Sequence, residues 1–146
     1  VEAGKRLQDQ FPLTAAHTYD FIVYGPNGFL RRFTGTAVQQ HWWNDKQALP
    51  EVAEGYDVAN GNLQLRLKNL GTASCQFSVA NAYTPGTVIT RQVRGGDTES
   101  LYLDLRASYG WYDLSVTIAS DTTFLRRLAG HVETGTSSMS DPALGS

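Results

Sequence analysis

The sequence predicts an all-β chain: an immunoglobulin-like antiparallel β-sandwich of about seven short strands, with extra strands from a truncated preceding repeat. Three observations carry this. Apolar and polar residues alternate at period two, as in Asn62-Leu63-Gln64-Leu65-Arg66-Leu67-Lys68-Asn69, the mark of a strand with one buried face. No stretch carries a long apolar stripe at the 3.6-residue spacing of a helix. The sequence also repeats itself. Val1-Glu2-Ala3-Gly4, Tyr19-Asp20-Phe21-Ile22-Val23 and Phe29-Leu30-Arg31-Arg32-Phe33-Thr34-Gly35 return as Val93-Arg94-Gly95-Gly96, Tyr112-Asp113-Leu114-Ser115-Val116 and Phe124-Leu125-Arg126-Arg127-Leu128-Ala129-Gly130.

The second copy is preceded by strand-like sequence from Tyr56 to Arg91 that has no counterpart before Val1. The expected organisation is therefore the rear half of a first repeat over 1–35, a linker over 36–51, a complete second repeat over 52–134 and a flexible tail over 135–146. In the half repeat, strands are expected around Lys5–Phe11, His17–Tyr24 and Phe29–Thr36, the last two joined by the turn Gly25-Pro26-Asn27-Gly28. Such strands cannot bury two sheet faces alone; they must pack on the complete repeat or be poorly held.

In the complete repeat, a first strand is expected near Tyr56–Val58. The leucine-alternating strand follows, between the turn signals Asn60-Gly61 and Asn69-Leu70-Gly71. Cys75, Phe77 and Val79 form the next alternating run. Val88 to Val93, Leu101 to Leu105, Tyr112 to Ile118 and Phe124 to Val132 complete the set.

With 41% hydrophobic and 18% charged residues, the 146-residue chain has ordinary globular composition. A net charge of -2 gives no electrostatic case for nucleic acid. The longest apolar runs are far shorter than a bilayer span. The single Cys75 excludes an internal disulfide framework. On the parity of Phe77 and Val79, it reads as a buried apolar thiol.

Each candidate for chemistry has a structural counter-reading. Asp20 and Asp113, beside Tyr19 and Tyr112, would be bases or metal ligands, but a residue needed by the fold recurs in every copy whereas a catalytic site is single. Tyrosines so placed resemble the tyrosine corner of sandwiches, whose hydroxyl meets backbone. Arg31-Arg32 and Arg126-Arg127 could grip an anion, yet adjacent strand residues point to opposite faces. One arginine of each pair is expected to meet the nearby aspartate and the other to face solvent. His17, His41 and His131 are scattered, so neither a metal site nor a cofactor is expected. No nucleophile elbow or phosphate loop is present, and no residue is assigned a catalytic role. Trp42-Trp43 is the one candidate binding feature. Adjacent tryptophans suit a membrane interface or a quaternary ammonium ligand, or else they plug the gap between repeats.

These residues together resemble the C-terminal repeat of bacterial phosphocholine-preferring phospholipases C, a family spanning haemolytic and non-haemolytic enzymes related to an acid phosphatase. The resemblance rests on Tyr24-Gly25-Pro26-Asn27-Gly28-Phe29-Leu30-Arg31-Arg32-Phe33, on Leu67-Lys68-Asn69-Leu70-Gly71 and Gly110-Trp111-Tyr112-Asp113-Leu114, and on Phe124 through Gly135. The closing Ser140-Asp141-Pro142-Ala143-Leu144-Gly145 is similar to the family's natural C-terminus. The resemblance implies a secreted or periplasmic parent hydrolase that releases phosphocholine from phosphatidylcholine and often sphingomyelin. Its catalytic residues would lie upstream, so the partners implied are that catalytic domain and phosphatidylcholine membranes. The leading expectation is a non-catalytic accessory region. A carbohydrate- or surface-binding module is the alternative, with Tyr83 or Tyr109 co-planar with a tryptophan; a purely structural spacer is another. An esterase in its own right is disfavoured by the missing nucleophile constellation.

Overall fold

The computed structural model describes residues 10–37 and 46–145. It contains β1 (Thr18–Tyr24), β2 (Leu30–Thr36), β3 (Pro50–Asp57), β4 (Asn62–Asn69), β5 (Cys75–Asn81), β6 (Val88–Val93), β7 (Thr98–Leu103), β8 (Trp111–Ile118) and β9 (Asp121–His131). Two short 3₁₀ turns, Arg106–Ser108 and Pro142–Gly145, are the only helical pieces among the described residues. All strand pairings are antiparallel and form two sheets. One has six strands in the order β1-β2-β9-β8-β5-β6, the other three in the order β3-β4-β7. The all-β sandwich follows from period-two burial: in β4, Leu63, Leu65 and Leu67 are buried while Gln64, Arg66 and Lys68 are exposed.

The core lies between β3-β4-β7 and the β5, β8 and β9 part of the large sheet. Leu63, Leu65, Leu67 and Leu101 join Phe77, Val79, Leu114, Val116 and Leu128 in one buried cluster. Cys75 belongs to it, and burial pushes its thiol up to about 11. Asn69, fully buried, ties the entry of β3 to the turn after β4. Its Oδ1 accepts from the backbone N–H groups of Leu49 and Gly71, and its Nδ2 donates to the carbonyls of Ala73 and Val93. All of its polar capacity is used, which a buried amide requires.

Two differences from the sequence reading concern strand limits. β3 begins at Pro50 rather than near Tyr56, because Val52, Glu54 and Tyr56 share a parity that only one aliphatic residue marks. Of the strand expected around Lys5–Phe11, residues 5–9 lie outside the described residues, and Gln10 and Phe11 are not in a strand. Residues 135–145, read as part of a flexible tail, are tied to the second repeat at the Trp111 and Tyr83 side chains. The Trp111 indole donates to the Met139 carbonyl, and the Tyr83 hydroxyl donates to Asp141.

Candidate functional site

The two copies meet where β2 pairs with β9, and the register there is symmetric. Leu30 faces Ala129, Arg31 faces Leu128, Arg32 faces Arg127, Phe33 faces Arg126 and Thr34 faces Leu125. Replacing each residue by its counterpart in the other copy converts the Leu30–Ala129 pair into Leu125–Thr34, which is also in the ladder. Arg32–Arg127 maps onto itself. A pseudo-twofold axis thus runs through the Arg32–Arg127 pair and relates the β1–β2 hairpin to β8–β9. Each hairpin places a tyrosine ring over a glycine. A Cβ built on Gly35 would lie 2.6 Å from the Tyr19 hydroxyl oxygen, and one on Gly130 3.1 Å from that of Tyr112.

Alternation sends the two arginines of each copy to opposite faces. On the outer face, Arg32 donates through Nε and Nη2 to Asp20 at 2.9 and 2.7 Å, and Arg127 to Asp113 at 2.8 and 2.6 Å. These are two-pronged guanidinium–carboxylate contacts. The Arg32 hydrogen bonds lower the Asp20 pKa from its ordinary value, and the hydrogen bonds to Asp113 raise that of Arg127. One arginine in each pair therefore does meet the nearby aspartate.

The other arginine does not face solvent, which corrects the sequence reading. Arg31 is 4% exposed. Its Nε donates to Glu54 at 2.8 Å, and its Nη2 donates to the hydroxyls of Tyr56 and Tyr112. Its Nη1 donates to the carbonyls of Leu30 and Ala129, and the guanidinium carbon sits 4.2 Å from the Phe29 ring centre. Burial opposes the charge on Arg31, but Tyr112 and Glu54 outweigh it and raise the pKa. Burial, then the Tyr56 hydrogen bond, drives the Tyr112 phenol upward. The tyrosine-corner expectation is corrected too, since the Tyr112 hydroxyl meets Arg31 and Tyr56 side chains rather than backbone.

Arg126 repeats much of this in the other direction. It donates to the Tyr19 hydroxyl and to the Thr34 and Leu125 carbonyls, and lies 4.2 Å from the Phe124 ring centre. Each copy thus sends an arginine onto the tyrosine of the other. Glu54 and Tyr56 were missed as members of this site; their two-residue spacing within a weakly apolar strand was the available signal.

An open groove of about 590 Å³ borders the crossing at Tyr19, Phe124 and Arg126, and is also lined by Thr36, Ala37 and 46–51. His41, Trp42 and Trp43 lie outside the described residues. His131 is held between Glu133 and the Tyr109 carbonyl, at 3.1 and 3.0 Å, and packs on Trp111. Among the described residues no three His, Cys, Asp or Glu side chains are grouped to hold a metal. Tyr109 is exposed, whereas Tyr83 is half-buried with its hydroxyl committed to Asp141.

This fold and its arginine crossing define a β-sandwich protein with an internal twofold repeat. The chain belongs to the family described as bacterial phospholipase C, C-terminal domain, which matches it over residues 1–36 and 50–131. It is 47% identical over 145 residues to a non-hemolytic phospholipase C of Burkholderia pseudomallei strain K96243, covering 99% of this chain and 20% of that protein. It is 43% identical over 155 residues to a hemolytic phospholipase C of Pseudomonas aeruginosa PAO1, covering 98% and 20%. A non-hemolytic phospholipase C of the same organism is 40% identical over 146 residues, covering 99% and 21%. The chain spans about a fifth of the length of these curated relatives.

Proposed function

We propose that this chain is the non-catalytic C-terminal accessory region of a secreted bacterial phospholipase C. The parent would release phosphocholine from phosphatidylcholine and sphingomyelin, and this region would support its catalytic domain. The observation that carries the reading is the crossing itself. The tyrosines, aspartates and arginines that recur in both copies are engaged with one another, Arg32 with Asp20, Arg127 with Asp113, Arg31 with Tyr112 and Arg126 with Tyr19, and Arg31 also reaches Glu54. The Arg31 and Arg126 contacts join repeat to repeat, and each Asp–Arg pair braces its own hairpin. The family membership and the phospholipase names of the longer relatives supply the parent activity.

Membrane engagement belongs to the same proposal through Trp42 and Trp43, whose rings suit a bilayer interface and choline headgroups. The test is an assay of the purified chain and of the full-length parent on a phosphocholine ester. The parent is expected to turn it over and the chain not. Turnover by the chain, abolished by a single substitution in it, would make the chain an esterase and end the accessory reading. Co-sedimentation with phosphatidylcholine vesicles, against a choline-free control and the Trp42→Ala/Trp43→Ala variant, tests the membrane part. Binding is expected to need both the headgroup and the tryptophans; no binding at high lipid would leave a spacer.

A further inference from the structure

We propose that the outer face of the β3-β4-β7 sheet binds an acidic oligosaccharide, with one pyranose ring stacked on Tyr102 and the carboxylate of its neighbour on Arg66. This surface lies apart from the arginine crossing, and its use does not depend on the parent's activity.

The register sets the outward residues in rows across the sheet. Gly55, Gln64 and Tyr102 form one row, and Ala53, Arg66 and Ser100 the next. Tyr102 is 57% exposed, yet its hydroxyl is fixed: it accepts from Asn62 Nδ2 at 2.9 Å and donates to Asp57. Asp57 sits on β3, two strand spacings or roughly 9.6 Å from β7. Only a ring laid across β4, with one face on the sheet and the other open, spans that gap. Nothing crowds the far end of the row, since a Cβ on Gly55 would meet only Gln64 atoms, at 3.9 Å. An aromatic face is electron-rich and attracts the polarised C–H groups of a sugar ring. Because the hydroxyl already holds this ring in place, stacking costs little further rotamer freedom.

The next row supplies polar contacts. Among the described residues Arg66 has no carboxylate partner, and the Gln64 and Ser100 side chains have no hydrogen-bond partner. Diagonal neighbours across a ladder lie about 7–8 Å apart, which puts Arg66 beside whatever ring follows the one on Tyr102. Beyond it lies a shallow concavity of about 340 Å³, lined by Glu51, Ala53, Arg66, Lys68 and Thr98. Glu51 there is paired with Lys68 at 3.7 Å, so the uncompensated charge is that of Arg66. From Tyr102 to Thr98 the face runs about 13 Å, longer than a single sugar ring.

The polarity of the face selects the occupant. The Asp57 hydrogen bond raises the Tyr102 pKa and the Asp104 charge adds to it, so two carboxylates flank the stacking end. Carboxylates accept from sugar hydroxyls, whereas they repel the phosphates beside a stacked nucleotide base. A quaternary ammonium group would find one open ring rather than an enclosing cage. At the other end, an unpaired guanidinium favours a carboxylate.

The probe is tetragalacturonate at low ionic strength, with its methyl ester as the uncharged twin. Both are titrated calorimetrically into the 146-residue chain and into the full-length parent. The acid is expected to bind both proteins at least ~10-fold more tightly than the ester, the worth of one charge-assisted hydrogen bond. Arg66→Gln should erase that preference. Gly55→Leu, which fills the space beside the ring, should abolish binding of both sugars without lowering the melting temperature. Absence of binding, equal binding of acid and ester, or binding untouched by Gly55→Leu would each overturn the proposal. So would binding by the short chain alone, which would assign the face to a contact with the rest of the parent. Tighter binding of an oligothymidylate or of phosphocholine would overturn it too, in favour of single-stranded nucleic acid or a choline headgroup.

Discussion

The hairpins β1–β2 and β8–β9 have nearly the same motif and the same relation to the pseudo-twofold axis, yet they sit in different surroundings. Tyr112, Leu114 and Val116 are buried under the β3-β4-β7 sheet, and β5 closes the edge of β8. Tyr19 and Phe21 are half-buried, with Phe11 against Phe21 at 4.7 Å, Val23 is exposed, and among the described residues β1 ends the sheet. The same sequence pattern therefore does different energetic work. The comparison teaches that a strand's alternation states which face it would bury, while burial itself depends on a second sheet being there to cover it.

Removing Arg31 should expose this asymmetry most strongly. Arg31→Ala leaves the buried Tyr112 hydroxyl and the half-buried Glu54 carboxylate without the buried guanidinium they share, a loss expected to reach about 3 kcal/mol. Arg126→Ala removes only neutral partners from a half-buried site and should cost about 1–2 kcal/mol in the same chain. Urea unfolding of both variants checks the order, and equal losses would erase the distinction between the twins.

Core truncation comes next. Leu114→Ala should destabilise by about 2–5 kcal/mol, and the counterpart Phe21→Ala by less than about 1, because little cavity opens at a partly solvated site. Thermal melts of both variants would sharpen the comparison. A Phe21→Ala loss as large as that of Leu114→Ala would mean β1 is covered after all.

Acid gives a smaller effect, spread over exposed groups. The pKa values of Asp20, Asp57 and Asp104 are lowered by hydrogen bonds, chiefly from Arg32, Tyr102 and Arg106, with Asp104 reaching about 2. A lowered folded-state pKa contributes stability in full above the ordinary carboxylate value, roughly 3.9, and loses it as pH falls through the folded value. The urea midpoint should therefore drop as pH falls from about 4 toward 2. The Asp20–Arg32 share should shrink in high salt, since both side chains are exposed. An Asp20→Asn variant should show a shallower acid slope than the parent chain. An unchanged slope would remove Asp20 from the account.

Much of this architecture was legible in the sequence because period-two alternation survives wherever one face is buried. Leu63-Leu65-Leu67, Cys75-Phe77-Val79 and Tyr112-Leu114-Val116 all landed in strands with those side chains inward. The Asp–Arg pairs were legible for the same reason, since neighbours across a hairpin share a face. The Arg31 cluster was not. Periodicity assigns Arg31 to the inner face but cannot say that Glu54, Tyr56 and Tyr112 will converge there from two other strands. That convergence is tertiary, and β3, which supplies two of the three, is marked by Val52 alone among aliphatic residues of its parity. Trp42 and Trp43 remain a reading from sequence, outside the described residues.

Native-state hydrogen exchange of the 146-residue chain separates a β8–β9 hairpin covered by a second sheet from a β1–β2 hairpin that, among the described residues, has none over it. Amides of β8 paired to β5 and β9 should exchange only through global unfolding, while β1 amides should exchange at least ~10-fold faster through local opening of the sheet edge. Equal protection of β1 and β8 would contradict the account.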